Sequence, residues 1–541
     1  MDAKGRLPAG VASLADLIPI AAERNPDGIA VADRGTTITW SDADARAGRL
    51  AAALAESGVT AGDRVGVHHR KCTDGFLAMH AVVRRGGIAV PLDPTASGSY
   101  LGSVVERTGC EVLVTHDDCR RTATSLVDSG ALRAVIGLDA LDAPAGVVAL
   151  DPTTVDRLDP LGPAGTRPDD PAYLITTSGS TATPKSICHT HASALAYVGF
   201  KLAAYDFGPD DRISDLAPNH FDISTQALWV TPAVGATNVV IPDQHQILPA
   251  SLSQLMADER LTVWYGVPYL LTQLVSRGSL AERDLSHLRW VLFGGEVLAP
   301  QVLADLMRQL PGARFSNVYG PAEVNACTVH HLDELPTGEE PVPIGGPVAD
   351  TAVRVVDPDL GVTPRQGAPA EVGPGEQGEL WVSAPTMMQG YWNLPELTSR
   401  SVVDWDGKRW YQTGDLGYQR ADGALVFSGR VDHQVKIRGY RVELESVESI
   451  LEDLDGVANA VVAVARSTDG GDVLIAGILP EPGSEVDHEA LRRWADSRLP
   501  AYAVPTRFSP IGSVAVTGSG KLDRREIRSN LVDAHHGEGD I

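Results

Sequence analysis

Apolar positions alternate with polar ones in a way that predicts α/β layers over the first two thirds of the chain. Thr36 to Trp40 reads as a short strand and Asp42 to Glu56 as an Ala-rich helix with Leu50 and Leu54 on one face. Arg64 to His68 is a strand by alternation, and Phe76 to Arg85 a helix closed by Gly86 and Gly87. Ile88 to Leu92, Glu111 to Thr115 and Ala134 to Leu138 continue the βα rhythm, which implies layered α/β architecture. Residues 143 to 170 are rich in Pro, Gly, Asp and Thr and read as a loose connection. Ala172 to Ile175 is a buried strand, Ala192 to Ala204 a helix, and Leu261 to Val267, Trp290 to Phe293 and Arg314 to Tyr319 are further strands.

From about Thr351 the pattern turns to short strands split by Gly and Pro: TAVRVVD, GELWVS, Trp410 to Leu416 and Ala424 to Ser428. A charged stretch follows, with Arg430, Asp432, Lys436, Arg438, Arg441, Glu443 and Glu445 close together, which by itself reads as a solvated hairpin. A compact α/β pattern closes the chain: helices over Glu443 to Leu451 and Asp487 to Leu499, with strands near Val457 to Val464, Asp472 to Ile478 and Phe508. The fold class is therefore α/β and multidomain, with a β-rich portion and a small C-terminal α+β part.

Composition narrows the function classes. At 541 residues the chain is too long for one core. No apolar run approaches the ~20 residues of a membrane span, and the N-terminus lacks a signal-peptide core, so a cytoplasmic protein is expected. Five scattered cysteines without CxxC spacing point to reduced thiols. The pairs His68–His69 and His330–His331 lack metal-ligand spacing and read as surface or packing residues. A net charge of −25 argues against a nucleic-acid partner.

Five stretches carry candidate chemistry. Thr176 to Thr183 are eight small or hydroxylated residues, followed by Pro184 and Lys185. Such a loop can wrap a polyphosphate with hydroxyl and backbone donors, although neither the dinucleotide nor the Walker pattern fits, and an ordinary Ser/Thr-rich loop is the bland alternative. Asp222, between Phe221 and Ile223, is either a helix N-cap or an anchor for a ligand cation, the cap being the commoner case. In NVYGPAE, Tyr319 can stack on a base and Glu323 can hold a hard cation, at a strand exit where open α/β sheets place ligands. Asp415 sits in the Gly-flanked turn of YQTGDLG, and Lys521 in the Gly-flanked GSGKLDR.

In order along the chain, TSGSTATPK, FDIS, NVYGPAE, GELWVSAPTMMQGYW, YQTGDL, GRVDHQVKIRGYRVELESVE, LPAYAVP and GSGKLDR resemble the core motifs of the adenylate-forming superfamily. Within it the chain is most similar to the amino-acid adenylation enzymes of nonribosomal peptide assembly. The resemblance runs from about Thr39 to Arg524. It implies a large N-terminal adenylation core over 1–431 and a small mobile C-terminal domain over 432–541, with the hinge at Asp432. It implies ATP and Mg²⁺ as cofactors. Thr177, Ser178, Gly179, Ser180, Thr181 and Lys185 would hold the β- and γ-phosphates. Gly295, Glu296 and Tyr319 would line the adenine pocket, with Phe427 also at the nucleotide. Asp415 would take the ribose hydroxyls, Arg430 would approach ribose and phosphate, and Glu323 would bind Mg²⁺. Lys521 would bridge the substrate carboxylate and the α-phosphate as the catalytic lysine of the first half-reaction. Lys436 would replace it in the second, when a phosphopantetheine thiol enters.

The resemblance also assigns the amino-acid pocket and reverses the cap reading of Asp222, which would hold the substrate amino group. Ile223, Gln226, Tyr265, Leu292, Gly294, Val318, Ala326 and Cys327 would form the wall. That set carries no charge toward the side chain, so a compact neutral amino acid is expected: alanine, serine or glycine, with proline close behind, since TVWYGVP and the Gln/Tyr pair look like stand-alone proline-activating members. A β-amino acid fits if the amine lies one carbon further away. The other readings are an acyl- or aryl-CoA ligase, disfavoured by Asp222, and a degenerate nucleotide-binding scaffold, suggested by Ala182 and Ser186 where glycine is usual. The chain ends soon after GSGKLDR, so a stand-alone enzyme loading a separate carrier protein is expected, with Arg492–Arg493 and Arg524–Arg525 as candidate docking charges.

Overall fold

The computed structural model describes all residues except 1–5, 178–183, 337, 339, 359–369, 433, 468–470, 482, 483, 485, 512–523 and 538–541. It is a mixed α/β protein that divides into two compact units. One comprises Met1–Pro94, Val105–Ile175 and Ser186–Val431; the other comprises Thr95–Val104, Thr176–Lys185 and Asp432–Ile541.

The first unit is built on a nine-stranded sheet. Its parallel centre runs, in spatial order, Ile29–Asp33, Thr237–Val240, Arg212–Asp215, Val263–Gly266, Trp290–Gly294 and Arg314–Tyr319. Antiparallel strands Thr36–Thr39, Thr328–Leu332 and Gly346–Pro347 finish its two edges. Val263–Gly266 and Trp290–Gly294 are buried at every position, which is why they read as continuous apolar runs and not as alternating ones. An eight-stranded sheet carries Val148–Leu150, Ala134–Ile136, Val112–Thr115, Arg64–His68, Ile88–Pro91, Pro171–Thr177, Lys185–Thr190 and Gly390–Tyr391. The β-rich portion is a five-stranded antiparallel sheet of Ala352–Val356, Gly378–Ser383, Lys408–Gln419 and Val402–Trp405, with Leu425–Arg430 also on Lys408–Gln419.

In the second unit, the charged stretch forms a hairpin of Gln434–Ile437 and Tyr440–Glu443. Its two turn residues, Arg438 and Gly439, have φ of 51° and 88°, the left-handed pair that matches strand twist in a two-residue hairpin. The helix Leu444–Glu452 follows and buries Leu444, Val447, Ile450 and Leu451 at helical spacing. Strands Val457–Arg466 and Asp472–Pro480 pair antiparallel, and Arg507–Pro510 adds parallel to the latter.

Two sequence expectations are corrected. Trp40 opens the helix Trp40–Glu56 instead of ending the strand, because Thr39 caps it: Thr39 Oγ1 accepts from Asp42 N–H at 3.1 Å, and the Asp42 carboxylate accepts from Thr39 N–H at 3.2 Å. The connection over 143–170 contains a strand, Val148–Leu150, and a helix, Pro152–Asp156, the latter capped by Asp151. Both are too short for periodicity to register.

Burial of histidine has a consequence for acid stability. Burial lowers the pKa of His68, His189 and His191 to about 4 and of His69 and His80 to about 3. Below pH 6.5 the unfolded chain binds protons at these rings that the folded chain refuses until pH 4 or 3. Stability is therefore lost as pH falls through that window, by roughly 2 kcal/mol per ring at pH 5. The melting temperature is expected to hold above pH 7 and to fall steeply between pH 6.5 and 5. A flat profile there contradicts the burial argument.

Candidate active site

Strand register gathers the pocket wall. Tyr265 pairs with Leu292, Leu292 with Ser316, and Gly294 with Val318. Residues directly opposite share a face, as do residues two apart on one strand. Tyr265, Leu292, Gly294, Ser316 and Val318 therefore line one face of the parallel sheet, with Gly294 and Val318 toward the C-terminal strand ends. Gly294 is required by crowding: a Cβ there would lie 2.3 Å from the Val318 carbonyl oxygen. Gly295 follows at φ 89°, the left-handed region that lets the chain leave the strand sharply. Ala326 and Cys327 are fully buried beside it, Cys327 N–H donating to the Tyr319 carbonyl at 2.9 Å.

Asp222 opens a short turn, Asp222–Ser224, that runs into a π-helical segment, Gln226–Val230. Such segments widen a helix and recur at functional sites. Asp222 is not the N-cap of this run; Phe221 holds that position, and the Asp222 carboxylate accepts from the adjacent Ile223 N–H at 2.9 Å. The cap reading is thereby corrected. Asp222 is half-buried, whereas Ile223, Gln226 and Tyr265 are 8%, 1% and 6% exposed, so the carboxylate sits at the wet edge of a dry wall. Burial, and after it the Asp222 charge, raise the Tyr265 hydroxyl pKa well above the ordinary phenol value. The aspartate is thus within electrostatic reach of the wall.

The residues expected at the nucleotide assemble from strands far apart in sequence. The Tyr319 hydroxyl donates to Asp415 Oδ2 at 2.6 Å, and Arg430 pairs with Asp415 Oδ1. Asp415 and Arg430 face each other across adjacent strands. Phe427, half-buried on the same strand as Arg430, packs against the cluster that holds Tyr319 and Cys327. Glu296 Oε2 accepts from Tyr269 N–H at 3.3 Å. Glu323 is fully buried and its Oε1 accepts from the Tyr391 hydroxyl at 2.7 Å. Among the described residues no three metal-ligating side chains cluster. The Glu323 carboxylate is of the kind that would hold a Mg²⁺ together with the phosphates of a nucleotide, a common mode for that ion.

Other assigned residues lie in the second unit. Thr177 ends the strand Pro171–Thr177 with its hydroxyl buried and, among the described residues, without a hydrogen-bond partner, a donor suited to a phosphate oxygen. Lys185 Nζ lies 2.9 Å from Glu443 Oε1, a buried ion pair. Lys436 sits opposite Arg441 in the hairpin, and Asp432 Oδ1 accepts from Gln434 N–H at 3.2 Å. Ser178, Gly179, Ser180, Thr181, Ala182 and Lys521 lie outside the described residues. Of the candidate docking charges, Arg493 pairs with Asp487 and Glu489, and Arg524 with Glu448 and Glu452.

Sequence reasoning missed the group closest to the pocket wall. Lys201 is wholly buried on the helix His191–Ala204, its Nζ 4.2 Å from the centre of the Tyr265 ring. The wall expected to be free of charge has an amine beside it. The available signal was that Lys201 is the only Lys, Arg, Asp or Glu in HASALAYVGFKLAA.

The family model for AMP-binding enzymes matches residues 19–392, and that for the AMP-binding enzyme C-terminal domain matches 446–521. The chain is 33% identical over 523 residues to phosphinothricin tripeptide synthetase PhsB of Streptomyces viridochromogenes, covering 95% of this chain and 42% of that one. It is 32% identical over 527 residues to novobiocin biosynthesis protein H of Streptomyces niveus, covering 97% and 83%. The structure of amide bond synthetase McbA from Marinactinospora thermotolerans is similar at a TM-score of 0.82 and 25% identity, covering 96% and 99%. The chain spans less than half the length of the tripeptide synthetase and most of the novobiocin protein.

Proposed function

The chain belongs to the AMP-binding enzyme family, and from that premise we propose that it activates a compact neutral amino acid, such as alanine, serine, glycine or proline, as the aminoacyl-adenylate. The amino-acid carboxylate attacks the α-phosphorus of ATP, the bond to the β-phosphate oxygen breaks, and pyrophosphate leaves. A phosphopantetheine thiol of a separate carrier protein then attacks the acyl carbon, and AMP leaves as the thioester forms. The small C-terminal domain over 432–541 turns about Asp432 between the two steps, exchanging Lys521 for Lys436.

The observation that carries this reading is Asp222. A carboxylate at the edge of a buried, mostly uncharged wall is suited to a substrate ammonium, a group that a fatty or aryl acid lacks. The joined Tyr319, Asp415 and Arg430 supply a stacking ring, a ribose acceptor and a cation for the nucleotide. Glu323 would hold Mg²⁺, which shields the phosphates of the attacked ATP.

The test is amino-acid-dependent ATP–pyrophosphate exchange across the standard amino acids, proline analogues and several β-amino acids. Exchange is expected with one compact neutral amino acid. Exchange with none of them while ATP still binds would overturn this reading and leave the CoA ligase.

A further inference from the structure

The helix His191–Ala204 brings three polar-tipped residues, Tyr197, Lys201 and Tyr205, to one face at i, i+4 and i+8 spacing, Tyr205 standing just past the helix end. That face covers the sheet surface that carries the pocket wall: the Tyr205 hydroxyl is 2.8 Å from Ser316 Oγ, and the Tyr197 hydroxyl is 3.5 Å from Gln226 Oε1. Lys201 lies between them. Its Nζ is ringed by Tyr265 at 4.2 Å, Tyr197 and Tyr205 at 5.3 Å and Phe200 at 5.5 Å from the ring centres.

Lysines near a helix C-terminus usually complement the dipole and reach for water. This one is 0% exposed, and among the described residues its Nζ has no hydrogen-bond partner. Gln226 Nε2, on the same wall, is likewise buried without a partner among them. Contacts with ring faces offset only part of the cost of stripping an amine of water, and burial drives its pKa well below the ordinary lysine value. Two buried donors that share Tyr197 as a neighbour and, among the described residues, have no acceptors are what a polar ligand group would complete.

Depth says which part of the ligand. The row Tyr265–Leu292–Ser316 lies two residues, roughly 7 Å, further into the sheet than Gly294 and Val318. A group over Tyr265 meets the far end of a side chain whose amino group is held at Asp222. We propose that Lys201 is a specificity-determining residue whose amine, together with Gln226, binds an oxygen acceptor carried beyond Cβ on the side chain of the substrate. This rests on the amino-acid-activating reading above and narrows it: a neutral side chain with a hydroxyl or carboxamide is selected over a hydrocarbon of the same shape.

The experiment is the exchange assay on wild type and Lys201→Met, with substrates in shape-matched pairs: asparagine, aspartate and leucine; glutamine, glutamate and methionine; threonine and valine; 4-hydroxyproline and proline. Wild type is expected to favour the oxygen-bearing member of one set at least about tenfold in kcat/KM, and the variant to lose that preference through KM without losing the hydrocarbon member. Within each set the neutral oxygen-bearing member is expected to be favoured, and a preference for the acidic member overturns the proposal. The variant is also expected to melt higher, because an unpartnered buried amine has been replaced by an apolar side chain of similar length. A wild-type preference for a side chain without oxygen, or an unchanged ranking in Lys201→Met, overturns the proposal while leaving the adenylation reading standing. Exchange with no amino acid overturns both. If the variant does not fold, the wild-type ranking decides alone.

Discussion

Lys521→Ala is expected to slow aminoacyl-adenylate formation on the order of 10²- to 10³-fold, the usual cost of removing one donor aimed at developing charge. The first half-reaction brings a carboxylate against a polyphosphate, two anions, and no proton needs to move. What the protein supplies is position and positive charge, and a lysine able to touch both the carboxylate and the α-phosphate does this most directly. Tyr319, Asp415 and Arg430, joined to one another, are expected to hold the nucleotide independently of it. ATP affinity, read by calorimetry, is therefore expected to stay within a few-fold of wild type, and the melting temperature to be unchanged. Single-turnover formation of the adenylate separates the outcomes. Near-normal formation would remove Lys521 from the chemistry, and a parallel loss of ATP affinity would make it a binding residue.

Candidate site residues are legible in the sequence wherever chemistry constrains short contiguous stretches. A phosphate loop needs consecutive small donors, a turn such as the one at Asp415 needs flanking glycines, and the hinge-and-hairpin stretch needs its charges in order. These survive as strings, so TSGSTATPK, YQTGDL and GSGKLDR were readable without coordinates. What depended on tertiary packing was not. The bond between the Tyr319 hydroxyl and Asp415 spans 96 residues, and the one between Tyr391 and Glu323 spans 68. Neither leaves a mark in any local window. Lys201 is the clearest case. Its position near a helix end has an ordinary local explanation, and only the sheet packed over it shows that the amine never meets water. Asp222 shows the converse. The local reading is a helix cap, but the short turn Asp222–Ser224 that precedes the π-helical segment starts at Asp222 itself and has Phe221 as its N-cap.

A role for Asp222 in holding the substrate amino group can be separated from a purely structural one. Asp222→Ala is expected to raise the KM for the amino acid by about 30-fold or more, since truncating one partner of a desolvated charge pair typically costs 2–5 kcal/mol. The KM for ATP is expected to change less than about threefold. The same truncation also removes the acceptor of the Ile223 N–H, and a disturbed turn would weaken amino-acid binding too. Asp222→Asn resolves the two. Asparagine keeps an oxygen for that N–H but carries no charge for a substrate ammonium. If the carboxylate pairs with the amino group, the asparagine variant remains as impaired as the alanine one while its melting temperature matches wild type. If the turn is what matters, asparagine restores binding. Equal effects on both substrates would likewise return Asp222 to a structural role, and with it the strongest support for an amino acid as the substrate would be withdrawn.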